Sequence, residues 1–149
     1  MDTKIIPYEK KYKQKVFDFT DTCFEKLGKK FDPLGRHEFY NNIEHSFEAF
    51  YCLLSEEKVV GTVALKNINE ETAELKALYL SQELRGQGFG FQLINKVICK
   101  AKKLGYKVIL LDSLSQYKEA LKLYEKVGFE KIDRYNDNPY ADVFMKKIL

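Results

Sequence analysis

The chain has few cysteines, no long apolar run and little excess of one charge, and each scarcity argues against a class of protein. Its 149 residues include three cysteines, an odd number without the paired spacing of a metal site, so neither a disulfide framework nor a zinc site is expected. No apolar run approaches the roughly 20 residues of a membrane span, and the N-terminus does not resemble a signal peptide. A net charge of +3, with lysines dispersed, predicts no nucleic-acid partner.

These scarcities favour a cytoplasmic protein that has neither a metal nor a membrane partner. The length predicts one domain, residues 1–149, with a full hydrophobic core. Cys23, Cys52 and Cys99 are expected to be reduced and to lie in or near that core. The chain contains no repeat, linker or low-complexity tract.

The hydrophobic pattern predicts strands and helices from one end of the chain to the other. Strands are predicted at 3–7, 49–54, 59–66, 72–80, 108–111, 129–135 and 142–147, and helices at 11–27, 37–47, 89–104 and 117–127. This order fits an α/β domain with a mixed sheet.

The most informative segment, residues 84–90, reads Leu-Arg-Gly-Gln-Gly-Phe-Gly and lies between a predicted strand and a predicted helix. Glycines leave room for a ligand to approach the backbone. A helix N-terminus presents unpaired N–H groups and a partial positive charge. Together these features predict a phosphate cradle, and hence chemistry on a phosphate-bearing cofactor.

Two familiar glycine motifs do not fit this segment. A Walker loop requires Gly-Lys-Ser/Thr, and the chain contains no such triplet. A dinucleotide fingerprint requires a third glycine where this chain has Phe91 or Leu93, depending on the register chosen.

Two blocks together resemble the GNAT acyltransferase superfamily. The pattern Arg85-x-x-Gly88-x-Gly90 after the predicted strand end resembles the acyl-CoA-binding motif of that superfamily. Residues 120–129, Ala-Leu-Lys-Leu-Tyr-Glu-Lys-Val-Gly-Phe, resemble its late A-x-x-L-Y-E-K-x-G-F segment. Both blocks stand in the family's order, and the C-terminal third resembles small single-domain bacterial members.

The resemblance implies a fold and a reaction. The implied α/β (α+β) fold has a mixed, mostly antiparallel sheet of about seven strands, flanked by about four helices and splayed between the fourth and fifth strands. The implied activity is N-acetyl transfer from acetyl-CoA, without a metal, to a primary amine of a small molecule, amino acid or protein, directly in a ternary complex. A homodimer is left open.

The resemblance also implies which residues bind the cofactor. The backbone of Leu78, Tyr79 and Leu80 is expected to pair with the pantetheine arm like an added strand. The N–H groups of the cradle are expected to hold the pyrophosphate, and Arg85 to add a cation; the cradle residues are Arg85, Gly86, Gln87, Gly88, Phe89 and Gly90.

Acyl transfer to an amine requires two proton movements. A lysine-like amine with a pKa of about 10.4 is neutral in only roughly one molecule in a few thousand at pH 7, so a base or a water relay matters. The family places a carboxylate near Glu74, which is the candidate base; the alternative is an exposed strand carboxylate. Tyr124 is the candidate proton donor to the leaving thiolate; the alternative is a core aromatic residue. Tyr117 stands where the family often has an asparagine, so that role is not transferred.

The residues that would bind the acceptor amine are the hardest to identify from the sequence. Asp32, Arg36 and His37 lie in the loop region where the family places substrate contacts, although a solvent-facing position is the alternative for each. His45 is expected to mark a surface, and the turn 138–140 is expected near the same cleft. Two other functions remain open: an inactive acyl-CoA-binding sensor, and a nucleotide-binding regulatory module.

Overall fold

The computed structural model describes residues 2–149, so Met1 of the predicted domain lies outside the described residues. The strands are β1 (Thr3–Pro7), β2 (Ala49–Ser55), β3 (Lys58–Asn67), β4 (Thr72–Leu80), β5 (Val108–Ser113), β6 (Glu130–Ile132) and β7 (Val143–Ile148). The α-helices are α1 (Lys13–Lys26), α2 (Ile43–Ser46), α3 (Phe89–Lys103) and α4 (Lys118–Lys126). The strands form one seven-stranded sheet in the order β1-β2-β3-β4-β5-β7-β6. Among the strands of residues 2–149 only the β4–β5 pair is parallel, which confirms the predicted mixed, mostly antiparallel fold.

Two predicted elements are shorter than expected. The helix predicted at 37–47 is a 3₁₀ segment, Glu38–Asn42, followed by the single turn of α2. Asn41 explains part of this, because its side chain donates to the carbonyls of Pro33 and Glu38 and so competes with helical pairing. The strand predicted at 129–135 ends at Ile132, because the residues that follow turn toward the middle of the sheet.

The helices cover both faces of the sheet. On one face, α3 buries Leu93, Ile94, Val97, Ile98 and Ala101 in a core that also contains Tyr124 of α4. On the other face, α1 contributes to a second core that is rich in aromatic side chains. Cys52 is buried and Cys23 is partly buried, but Cys99 is exposed, which corrects its predicted place in or near the core. Cys99 follows Ile98 by one residue, about 100° around the helix, and therefore leaves the buried stripe.

The sheet splays at its centre. β4 and β5 are paired only from Thr72 to Glu74, opposite Val108 to Leu110. Beyond that point β4 remains paired with β3, and β5 with β7, while the two strands separate from each other. A sheet that opens between parallel strands leaves a wedge that can receive an extended ligand.

A bulge in β4 accompanies the splay. Thr62 is opposite Tyr79 while Ala64 is opposite Lys76, so β4 has one extra residue. Ala77 has a φ of 54°, unusual for a residue with a side chain, and its carbonyl accepts a hydrogen bond from the buried Thr62 hydroxyl at 2.7 Å. Because bulges bend and twist the strand that contains them, this one helps to direct β4 away from β5.

Candidate active site

The glycine-rich segment connects the end of β4 to the start of α3. Gly86 and Gly88 have φ values of 78° and 88°, a region that favours glycine, and a Cβ on either would meet no protein atom within 4 Å. The Arg85 N–H donates to the Gln82 carbonyl. Within residues 2–149, the next backbone N–H along the chain that donates a hydrogen bond is that of Gln92, to the Gly88 carbonyl. The N–H groups between them are thus open to a ligand at the positive end of the α3 dipole. Arg85 is exposed beside them.

Gly90 has a packing reason to be glycine. A Cβ at this position would lie 2.8 Å from Cδ2 of Leu123, so a side chain here would have to displace the Leu123 side chain of α4. The third glycine of the run therefore positions Tyr124, the residue after Leu123, relative to the cradle.

The last residues of β4 have one free edge. Leu80 and Tyr79 are paired with Gly61 and Thr62 of β3, and within residues 2–149 no strand is paired with their other edge. The side chains of Leu78 and Leu80 pack against the core beneath α3, while Tyr79 packs in the opposite core. An extended chain lying in the wedge can therefore reach the backbone without displacing any of these side chains.

Tyr124 lies in the core on the α3 and α4 side of the sheet. It is 6% exposed and its ring packs edge-on against Phe129, with centroids 5.8 Å apart. Its hydroxyl makes no hydrogen bond within residues 2–149, although it is not fully covered by protein. Burial, and then the Asp112 carboxylate, raise the pKa of Tyr124 above its usual value. The residue is thus a core aromatic through its ring and an available donor through its hydroxyl.

Glu74 is buried, contrary to the alternative of an exposed strand carboxylate. It is 5% exposed and lies at the point where β4 and β5 separate. The Tyr135 hydroxyl donates to its Oε2 at 2.5 Å, and Nζ of Lys76 lies 3.5 Å from its Oε1. Burial, and then the bond to Glu74, raise the pKa of Tyr135, so its hydroxyl remains a donor.

A second carboxylate, Asp112 of β5, was not identified from the sequence. Nδ2 of Asn136 donates to its Oδ2 at 2.7 Å. Tyr135 and Asn136 are neighbours in the connection from β6 to β7, so this connection holds one carboxylate on each side of the wedge. The sequence predicted Tyr135 at the end of a strand and Asn136 at the start of a polar turn, but not their partners, which lie 61 and 24 residues away.

The connection that holds the two carboxylates is itself well fixed. The Arg134 guanidinium donates to the carbonyls of Asn136, Asn138 and Ala141 and lies over the Phe144 ring at 4.6 Å. Tyr135 packs edge-on against the same ring.

The loop after α1 contacts Tyr117, the residue that precedes α4. Nζ of Lys29 lies 5.3 Å from the centre of the Tyr117 ring, whose hydroxyl is covered and has no hydrogen-bond partner within residues 2–149. The pKa of Tyr79 is raised by burial and then by its phenol neighbours, which include Tyr117 and Tyr124.

The three predicted acceptor residues have unequal positions. The Asp32 N–H donates to Nδ1 of His37 at 3.0 Å, so these two residues close their own turn. The His37 ring packs among phenylalanines, and burial lowers its pKa. Arg36 instead lies over the Tyr140 ring at 3.7 Å and so connects this loop with the predicted turn 138–140. His45 is exposed, as predicted.

Residues 2–149 contain no group of three or more His, Cys, Asp or Glu side chains that could hold a metal ion. Over the same residues, no helix is both long and apolar enough to cross a membrane.

A mixed sheet that splays beside a glycine-rich helix N-terminus defines a GNAT-type fold. Residues 13–129 match the sequence model of the "Acetyltransferase (GNAT) family", and the chain belongs to that family. It is 37% identical over 87 residues to N-acetyltransferase 8B of Homo sapiens, a match covering 55% of the chain and 38% of that protein. The chain thus spans well under half the length of this curated relative.

Solved structures share the fold over nearly the whole chain. An acetyltransferase from Streptococcus agalactiae superposes with a TM-score of 0.89 and 25% identity, covering 99% of this chain and 98% of that one. A GNAT family acetyltransferase from Elizabethkingia anophelis, solved with acetyl-CoA bound, gives a TM-score of 0.73 and 22% identity over 99% and 98% of the two chains.

Proposed function

We propose that this protein transfers an acetyl group from acetyl-CoA to a primary amine, directly within a ternary complex. The observation that carries the proposal is the wedge between β4 and β5, with the open N–H groups of the cradle at the start of α3 and Tyr124 in the core on the same side of the sheet. The pyrophosphate would lie on the cradle. The pantetheine would pair with the free edge of Leu78 to Leu80, which brings the thioester toward Tyr124.

In this proposal Tyr124 donates a hydrogen bond to the sulfur of the leaving thiolate. Full proton transfer is unfavourable, because a thiol has a pKa of about 8.5 and an ordinary phenol about 10, and burial raises the pKa of Tyr124 further. Donation alone still favours the transition state, where the sulfur gains negative charge.

Glu74 is the proposed base, acting directly or through water. Glu74 lies at the closed end of the wedge, on the face of the sheet opposite α3 and α4. The amine would therefore reach the thioester from the face of the sheet that does not carry Tyr124. The bond from Tyr135 would orient one carboxylate oxygen, leaving the other, beside Lys76, to receive the proton.

Release of free thiol tests this function. The protein is incubated with acetyl-CoA and a panel of primary amines, and thiol release is compared with that of a sample without amine. Binding of acetyl-CoA, ATP and NAD is measured in parallel by calorimetry. Amine-dependent release supports the enzyme; acetyl-CoA binding without release indicates a sensor; ATP or NAD binding without coenzyme A affinity indicates the nucleotide-binding module.

A further inference from the structure

The two carboxylates at the wedge differ in how their charge is compensated. Glu74 has Lys76 beside it and the Tyr135 hydroxyl on its other oxygen. Asp112 forms no salt bridge within residues 2–149, and the Asn136 amide that holds its Oδ2 is neutral. Within the same residues Oδ1 of Asp112 accepts no hydrogen bond.

The arrangement of β5 directs Asp112 toward the reaction point. Leu110 is paired with Glu74, and Asp112 follows two residues later on the same face of the strand, where β5 has separated from β4. Phe144, opposite Asp112 on β7, carries the edge-on Tyr135 ring, so these side chains share one face of the sheet.

Tyr124 gives an independent sign that a ligand group belongs at this point. The residue is 6% exposed, and its hydroxyl, which protein does not fully cover, forms no side-chain hydrogen bond within residues 2–149. The Asp112 carboxylate is close enough to contribute to the raised pKa of Tyr124. A partly buried carboxylate without a cation is stabilised by a cationic ligand, and a phenol hydroxyl that is open to solvent and has no protein partner is free to bond to a ligand group.

We propose that Asp112 binds the ammonium group of the acceptor and thereby selects amines that have no carboxylate beside the amino group. This inference rests on the proposed acetyl transfer and specifies its acceptor class: alkylamines and lysine-like side chains rather than α-amino acids. The acceptor ammonium supplies the missing counter-charge. A carboxylate on the adjacent carbon would be placed near Asp112 and Glu74 and would be repelled by both.

Pentylamine and norleucine form a matched pair for the test, because norleucine is pentylamine with a carboxylate on the carbon that holds the amine. With the parent protein we expect pentylamine to be preferred in kcat/KM by at least about tenfold, or 1.4 kcal/mol. Asp112→Asn should raise KM for pentylamine about tenfold with a smaller change in kcat. The ratio of kcat/KM for pentylamine to kcat/KM for norleucine should then fall to about three or less. Affinity for acetyl-CoA should change by less than about twofold.

Asp133→Asn is the control, because it removes the same charge from an exposed position and should leave the preference intact. Binding of pentylamine to the complex with coenzyme A, followed by NMR titration, adds a measurement that needs no turnover. Weaker binding in Asp112→Asn without thiol release in the parent would sustain the inference and defeat the proposed function. If the parent turns over and Asp112→Asn keeps both the KM for pentylamine and the preference for pentylamine over norleucine, the inference is overturned while the proposed function stands. The inference is also overturned if pentylamine does not bind to the parent.

Discussion

The Tyr124 hydroxyl can be removed while the packing of its ring is kept. Since that oxygen has no protein partner within residues 2–149, Tyr124→Phe should change the free energy of unfolding by less than about 1.5 kcal/mol. If the hydroxyl donates to the leaving sulfur, kcat should fall about ten- to a thousandfold while acetyl-CoA affinity is kept. Steady-state kinetics and calorimetry measure the two effects.

Tyr106 provides the matched control for Tyr124. It is equally buried, but its hydroxyl bonds to Asn67 and Glu48. Tyr106→Phe should therefore lower the free energy of unfolding by about 1 kcal/mol and leave kcat unchanged. Full turnover in Tyr124→Phe would remove its hydroxyl from the mechanism, and unfolding of that variant would favour a purely structural role.

Glu74→Gln separates the charge of the proposed base from its shape. The amide oxygen can still accept from Tyr135, so the side chain should keep its place. Without a base, kcat/KM should fall at neutral pH and then rise with pH toward the amine pKa of about 10.4, so the deficit shrinks at high pH. The pH–rate profile is the measurement.

Glu71→Gln is the corresponding control, because it neutralises a carboxylate in an exposed pair with Lys107. Its profile should overlay that of the parent. If the profile of Glu74→Gln also overlays it, the amine is deprotonated by another route.

At the scale of a whole element, the two ends of α3 allow strain and ligand contact to be separated. Gly88 precedes the helix and Gly105 follows it, both with a φ of 88° and no protein atom within 4 Å of an added Cβ. Gly88→Ala and Gly105→Ala should therefore cost similar stability, about 1 kcal/mol each. Only the first introduces a methyl group where the pyrophosphate is proposed to lie.

We expect Gly88→Ala to weaken acetyl-CoA binding at least about tenfold and Gly105→Ala to leave it unchanged, as measured by calorimetry. The two sites are about 25 Å apart along the helix axis, so a ligand that contacts Gly88 does not contact Gly105. Equal affinities in both folded variants would place the cradle elsewhere.

At the scale of the whole molecule, His37 links stability to pH. Burial, and then the Arg36 charge, lower its pKa in the folded state, below the usual value of about 6.5 that it regains on unfolding. As the pH falls below about 6.5, His37 of the unfolded chain takes up a proton before His37 of the folded chain does. Protonation therefore favours the unfolded state, and the folded protein loses stability below about pH 6.5. Urea unfolding at about pH 7.5 and about pH 5.5 measures the loss.

The parent and His45→Gln should lose stability by the same amount between these pH values, since His45 is exposed. His37→Gln should lose less, whatever its stability at the higher pH. An equal loss in all three proteins would assign the pH dependence to other groups.

Much of the architecture follows from local patterns. The apolar spacing of α3, the alternation in the strands and the glycine run all depend on residues within one element, where helical and strand periodicities hold. The order of the elements predicts the mixed sheet, and the family resemblance of the two motif blocks implies its splay; the structure confirms both. The cradle, too, is visible from residues 84–90, because both its glycines and the helix start are adjacent in sequence.

The surroundings of Glu74 and Asp112 could not be read in this way. Their partners, Tyr135 and Asn136, are reached only after the chain has passed through α3, α4 and β6, and the contacts depend on strand register and on the path of one loop. The same holds for Gly90, whose lack of a side chain is explained by Leu123 of another helix. Hydrogen bonding and close packing act through space, so side chains far apart in sequence acquire a shared chemistry only when the sheet and its connections bring them together.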